Sequence, residues 1–232
     1  MTDIVTPDFA VGGFQPFSVS DWPHKIAAVI FAQGCPLRCG YCHNPHLIPR
    51  GAGQLAFADV RNILDTRRNL LDGVVFSGGE PCAQRNLPQA IASIRQLGFK
   101  IGLHTAGACP AMLGKVITDV DWVGIDVKAP QDQYEQLTGT SSWGKTMRSI
   151  DLLVSHNTPF EARTTWHPDL FTIDALLDLA GNLAASGVTT YALQRLRRKA
   201  GNHDMQRWEP GPSPSTQALA NLAAMFPVFT LR

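Results

Sequence analysis

Long hydrophobic runs are missing: no stretch approaches the roughly 20 apolar residues that a membrane helix needs, so no membrane association is expected. The first residues, Met1 to Ala10, carry acidic side chains where a secretory leader needs basic ones, and no apolar segment follows; a cytoplasmic location is expected. A surplus of one charge is missing too. Lys and Arg total 20 against 19 Asp and Glu, a net charge of +1, which leaves no uniform field for nucleic acid or an anionic membrane. Cysteine is scarce, five in 232 residues, yet three of the five crowd into residues 35–42. That spacing is unlike a disulfide framework and, in a reducing compartment, points to metal binding. Cys82 and Cys109 are isolated and read as small, part-buried side chains.

What is present is an ordinary globular balance, 44% hydrophobic and 17% charged, enough for one domain over 1–232 with an N-terminal extension at 1–24 and a tail at 195–232. Short β-rich runs at Ile26 to Ala32, Val74 to Ser77, Lys100 to His104, Trp122 to Val127, Phe160 to Thr164 and Thr189 to Leu193 read as strands. Helical spacing lies between them, at Ala58 to Asn69, Leu87 to Leu97, Pro110 to Thr118, Gly144 to Ser155 and Ile173 to Ala185, with a further helix-like segment from Ser215 to Met225. This alternation predicts an α/β fold with a parallel sheet. A closed barrel of eight units takes about 250 residues, so about six βα units predict a partial, open parallel barrel.

Ligands of such folds sit beyond the carboxyl ends of the strands. The chemically interesting residues fall there: the cysteines after the first run, Gly78-Gly79-Glu80 after the second, Thr105 after the third, Lys128 after the fourth and Gln194 after the sixth.

Cys35, Cys39 and Cys42 form a C-x3-C-x2-C pattern opened by Gly34. Thiolates are the usual ligands of a [4Fe-4S] cluster, one per iron, and three of them leave one iron open for a substrate. The alternative is a structural zinc site with His43 or His46 as fourth ligand. Such sites usually pair two short ligand clusters, and no second cluster is present.

The pattern Cys35-x3-Cys39-x-Tyr41-Cys42, with an aromatic before the last cysteine, resembles the radical S-adenosylmethionine (SAM) signature. His43-Asn44-Pro45, with the upstream Gly12-Gly13-Phe14 and Ser20-Asp21-Trp22-Pro23, is similar to the glycyl-radical-enzyme activating subgroup, and within it to the short anaerobic ribonucleoside-triphosphate reductase activating proteins. The resemblance runs from about Gly12 to Arg197. It implies Cys35, Cys39 and Cys42 as cluster ligands, SAM on the open iron and a partial barrel of the radical SAM type.

The paired glycines of Ser77-Gly78-Gly79-Glu80-Pro81 permit close approach to the main chain, and Glu80 adds a carboxylate suited to an ammonium. By resemblance this is the motif for the SAM amino group. Asp126 and Lys128, two apart, project to one face of a strand, and the resemblance implies an Asp-x-Lys motif close to SAM. Tyr41, Thr105 and Arg163 complete the implied pocket, with Gln194 as a weaker candidate. Two positions depart from the family's pattern. His104 stands where relatives carry an acid, which puts a cation site beside SAM in doubt, and His24 stands where glycine is common.

The resemblance implies reductive cleavage of SAM to a 5'-deoxyadenosyl radical that removes a hydrogen atom. Its partners would be a strong donor such as reduced flavodoxin and a glycyl radical enzyme, in that family usually anaerobic ribonucleoside-triphosphate reductase. Arg195 to Lys199, and the loop Gln131 to Lys145 with Tyr134 and Trp143, are candidate docking surface or simply solvated. Two other functions stay open: a small-molecule enzyme like the deazapurine synthases, whose cysteine loops usually continue with Asp-Thr, and a non-catalytic iron-sulfur or zinc module.

Overall fold

Strands with an apolar inward and outward face need cover on both sides, and in the computed structural model, which describes residues 7–196 and 212–232, they obtain it from helices outside and a packed floor inside. Among the described residues eight strands form one sheet in which every strand neighbours its predecessor in sequence. They are β1 (Val11–Ser18), β2 (Ala27–Ala32), β3 (Gly73–Gly78), β4 (Lys100–Thr105), β5 (Trp122–Asp126), β6 (Phe160–Trp166), β7 (Thr190–Arg195) and β8 (Val228–Leu231). β1 runs antiparallel to β2, and every later pairing is parallel. β1 and β8 stand at opposite ends of this order, so the sheet is an open parallel barrel.

The six expected strands are β2 to β7. β1 and β8 are additions to that expectation. Gly12, Gly13 and Pro16 weaken the strand signal of β1, and its two register irregularities are tolerable because, apart from a bridge between Val11 and Leu55, its other side is unpaired among the described residues. β8 is four residues long, below the length at which alternation is readable.

Helices α1 (Phe57–Asp65), α2 (Leu87–Arg95), α3 (Pro110–Val116), α4 (Tyr134–Thr138), α5 (Trp143–Ser155), α6 (Ile173–Ala185) and α7 (Thr216–Met225) lie between strands. α6 shows why they form. Leu176, Leu179, Ala180 and Leu183 make one buried stripe at helical spacing, and the Thr172 hydroxyl caps the amino end by accepting from Ala175 N at 3.2 Å. α1 ends four residues earlier than its periodicity suggests, ahead of Asn69, which is left-handed at φ 65°. α4, one short turn after β5, has too few residues to leave a periodic trace.

The barrel floor is aromatic. Trp22, from the segment joining β1 to β2, stacks on Trp122 with ring centroids 5.8 Å apart, beside Val29 and Val75. A side chain at Gly73 or Gly102 would meet the Trp22 ring at 2.7 or 2.9 Å, so these two glycines make room for the indole. His24, two residues on, holds φ 61°, a conformation that glycine adopts without strain. The loop keeps that backbone with histidine in place.

Candidate active site

Above the floor, at the carboxyl ends of the strands, lies a cavity of about 610 Å3. Cys35, Cys39 and Cys42 line one side of it, together with Tyr41 and the backbone turn Gly78-Gly79. Asp126, Lys128 and Arg163 line it from β5 and β6, joined by Thr105 and His104 from β4 and by Gln194 from β7.

The cysteine loop is held mainly by its backbone. Gly34 N donates to Leu47 O at 2.8 Å and Cys35 N to Ile48 O at 3.0 Å. Arg38 N and Gly40 N donate to Thr138 O and Leu137 O, the carbonyls at the end of α4. Gly78 and Gly79 close the loop from the other side. A Cβ on Gly78 would lie 2.4 Å from Ala32 N, and one on Gly79 2.4 Å from Gly34 O. Both glycines are thus needed for the approach of backbone to backbone, with Glu80 N donating to Gly34 O at 3.0 Å. Leu37, between two of the cysteines, packs on Ala106 and Ala108.

The Glu80 side chain is where the structure departs from the sequence expectation. It does not line the cavity and is fully buried. Oε1 accepts from Cys82 N at 3.0 Å and Thr105 Oγ1 at 2.8 Å, and Oε2 accepts from Ala106 N at 2.7 Å. Burial pushes its pKa up, against the three donors that pull it down. The carboxylate therefore ties the loop after β3 to the loop after β4.

Charge on the strand side is compensated in a fork. Asp126 accepts from Arg163 Nε at 2.7 Å and from Lys128 Nζ at 2.9 Å. Burial would raise the Asp126 pKa, but Arg163 and Lys128 outweigh it and hold the carboxyl well below the usual range. Lys128 is the mirror case, burial lowering its pKa and Asp126 raising it further, so the ammonium stays charged. Two cations share one carboxylate, which leaves this corner with a positive surplus suited to a carboxylate ligand. Gly124 provides the space for Arg163, because a Cβ there would sit 2.7 Å from the guanidinium.

His104 is neutral. Burial first, and Arg163 second, push its pKa down to about 3. Its Nε2 lies 2.7 Å from the Asp21 carbonyl, a contact that requires the proton on Nε2. Nδ1 then accepts from Ser77 Oγ at 3.1 Å. Arg163 Nη1, 3.1 Å from the same Nε2, is by that assignment a neighbour and not a second bond. Tyr41 joins the two sides of the cavity: its hydroxyl donates to Lys128 O at 2.9 Å.

Several positions at or beside the cavity had no sequence signal. Glu161, buried on β6, receives a two-pronged bond from Arg232 at 2.7 and 2.8 Å, and Arg232 lines the cavity beside Arg195 and Thr165. Only the register of β6, β7 and β8 brings these together. The loop Gln131 to Lys145 is partly buttress. Tyr134 is buried, its hydroxyl 2.9 Å from Thr146 Oγ1, so it is not docking surface, while Trp143 is half-buried against it. Of the basic stretch, residues 197–199 lie outside the described residues.

The donor set fits a cluster of several irons. None of the three thiols is in a disulfide and all three line one cavity, and among the described residues no three His, Cys, Asp or Glu form a group able to hold a single metal ion. Burial raises the pKa of Cys39 and takes that of Cys35 up to about 12, so these thiols ionise only against a strong local positive charge such as a metal supplies.

An open parallel barrel with three thiols facing an Asp, Lys and Arg fork across one cavity fits an iron-sulfur enzyme that binds a small charged ligand beside its cluster. The profile of the radical SAM superfamily matches residues 29–189, and the chain belongs to that superfamily, whose members use a [4Fe-4S] cluster and SAM. It is 30% identical over 197 residues to a Methanocaldococcus jannaschii protein named as a glycyl-radical enzyme activating enzyme, covering 82% of this chain and 80% of that one. It is 33% identical over 129 residues to the pyruvate formate-lyase-activating enzyme of Clostridium pasteurianum, covering 51% of this chain and 53% of the other. In fold it is similar to a radical SAM methyltransferase from Sphaerobacter thermophilus, with a TM-score of 0.68 at 16% identity over 91% of this chain and 67% of that chain. It is also similar to Streptococcus suis SuiB bound to its precursor peptide, with a TM-score of 0.69 at 12% identity over 88% of this chain; there it spans about half of the other protein, 48%.

Proposed function

We propose that the chain is an activating enzyme that generates a glycyl radical on a partner enzyme, with anaerobic ribonucleoside-triphosphate reductase as the target and reduced flavodoxin or a similar protein as electron donor. The observation that carries the reading is the cavity in which Cys35, Cys39 and Cys42 face the Asp126, Lys128 and Arg163 fork, in a chain similar along most of its length to a protein named as such an activator.

Cys35, Cys39 and Cys42 would hold the cluster, one cysteine for each of three irons. When bound, cluster and SAM together supply the electron and the 5'-deoxyadenosyl radical that abstracts hydrogen. The chain's own residues position and shield. Lys128 and Arg163 take the carboxylate of SAM, kept charged and aimed by Asp126. The backbone of Gly78 and Gly79 would face its amino group, in the role first expected of the Glu80 side chain. His104, neutral and bonded on both ring nitrogens, keeps Ser77 and the Asp21 segment in place without adding charge. The stacked Trp22 and Trp122 give the floor a packed apolar surface.

Anaerobic incubation of the reconstituted, reduced protein with SAM and the reductase tests the proposal. It predicts 5'-deoxyadenosine together with a glycyl radical spectrum on the reductase. Nucleoside formation without a radical on that partner would move the target to another glycyl radical enzyme or to a small molecule.

A further inference from the structure

We infer that the exposed outer surface of the cysteine loop is the docking site of a small acidic redox protein, which delivers there the electron consumed in the cavity. The inference rests on the radical SAM reading above and adds to it the surface of the chain that the donor uses.

Three segments meet at this surface. Residues 34–50 carry the cysteines, residues 106–109 follow β4, and residues 138–146 lead into α5. They are tied by Arg38 N to Thr138 O at 2.7 Å, by Thr146 Oγ1 to Ala106 O at 2.9 Å and by Leu37 packed on Ala106 and Ala108. Arg50 lies over Gly34, its Cγ 3.3 Å from where a Cβ would be, and Arg38 lies equally close to Gly139. Burial raises the Cys109 pKa, and Lys145 and Arg50 both lie near enough to oppose it, which places them on the same side of the molecule.

The charge at this surface is one-sided. Residues 34–50, 106–109 and 138–146, the three segments that form it, contain no Asp or Glu. Arg38, Arg50 and Lys145 are exposed, none lines the cavity, and none is ion-paired with a described residue. Exposed His43 and His46 stand between them in sequence. The carboxylate nearest in sequence to the third segment is Glu135, on α4. A chain whose net charge is only +1 has thus gathered an uncompensated positive patch over its cysteines.

The location selects the partner. Beyond these three cysteines the chain has only Cys82 and Cys109, too few to hold a second cluster that would relay an electron from elsewhere, so the donor must approach the loop itself. One electron leaves the reduced donor and enters the site; no bond forms or breaks in that step and no proton moves. A low-potential carrier with an acidic rim around its cofactor meets the patch with opposite charge, which raises the encounter rate and sets its orientation.

The test titrates the reconstituted full-length enzyme with a flavodoxin at low and moderate salt, for wild type and for the triple variant Arg38→Gln, Arg50→Gln and Lys145→Gln. Binding by the triple variant at low salt is expected to be about tenfold weaker or more, with the salt dependence of the wild type largely gone. SAM cleavage driven by reduced flavodoxin falls by a similar factor, while cleavage driven by dithionite is unchanged. If the triple variant fails to hold its cluster, the single variants Arg50→Gln and Lys145→Gln give the same comparison in smaller steps. Equal flavodoxin affinity and equal salt dependence in wild type and variants would overturn the inference, as would tighter binding of a single-stranded oligonucleotide than of flavodoxin. Absence of dithionite-driven cleavage in the wild type would count against the proposed function instead, with the titration still reading the docking surface.

Discussion

The two sides of the cavity are built by different means. The cysteine side is a loop fixed by main-chain bonds and by glycines that let backbones touch: Gly78 against Ala32, Gly79 against Gly34. The strand side is a set of charged side chains on regular β-structure, with Asp126 between Lys128 and Arg163 and with Glu161 gripping Arg232. On the first side geometry depends on what is absent, side-chain volume, so it fails sterically. On the second it depends on charge balance, so it fails electrostatically.

The largest effect is expected at the donors. Cys39→Ala leaves two thiols for the cluster, and bound iron and 5'-deoxyadenosine formation should both fall to background, as read by iron analysis and chromatography. Asp126→Asn breaks the strand side. It leaves two cations without their counter-charge, a loss of about 2–3 kcal/mol, somewhat below that of a fully buried pair because Asp126 keeps 25% of its side-chain surface exposed. Because the Asp126 pKa is depressed in the fold, its contribution is present above the ordinary carboxylate value near 4 and fades as pH falls toward the folded value. Thermal melts should therefore show wild type and variant converging in acid and separating toward neutrality.

Gly79→Ala attacks the cysteine side by volume alone. With a Cβ 2.4 Å from Gly34 O the backbone must shift, at about 1–3 kcal/mol, and SAM cleavage should fall although no ligand or charge is altered. Tyr41→Phe cuts the tie between the two sides and leaves the Lys128 carbonyl short of a buried donor, about 1–2 kcal/mol in chemical denaturation. His24→Gly, outside both, relieves a left-handed residue and should stabilise by under about 1 kcal/mol with activity unchanged.

The same contrast explains what was legible in the sequence. The cysteines, Tyr41, the glycine pair and Asp126-x-Lys128 are short-range patterns, so their shared location followed from strand order alone. Arg163 could be suspected at the end of its strand, but its bond to Asp126 needed the β5 and β6 register. Glu161 and Arg232 lie 71 residues apart and carry no local signal at all. Glu80 was visible as a motif, yet the direction of its side chain was not. Three donors, two of them contributed by Thr105 and Ala106 after a full βα unit, draw the carboxylate away from the cavity. Tyr134 misled for a related reason: an aromatic in an apparent loop reads as exposed until Thr146 is found beneath it.

The most direct test of the account is low-temperature spin-resonance spectroscopy of the reconstituted, reduced enzyme before and after addition of SAM. The account predicts a [4Fe-4S] signal that changes when SAM binds at the iron without a cysteine, followed by 5'-deoxyadenosine on warming. A cluster signal that SAM leaves unchanged, or a single metal ion held by the three cysteines, would contradict it.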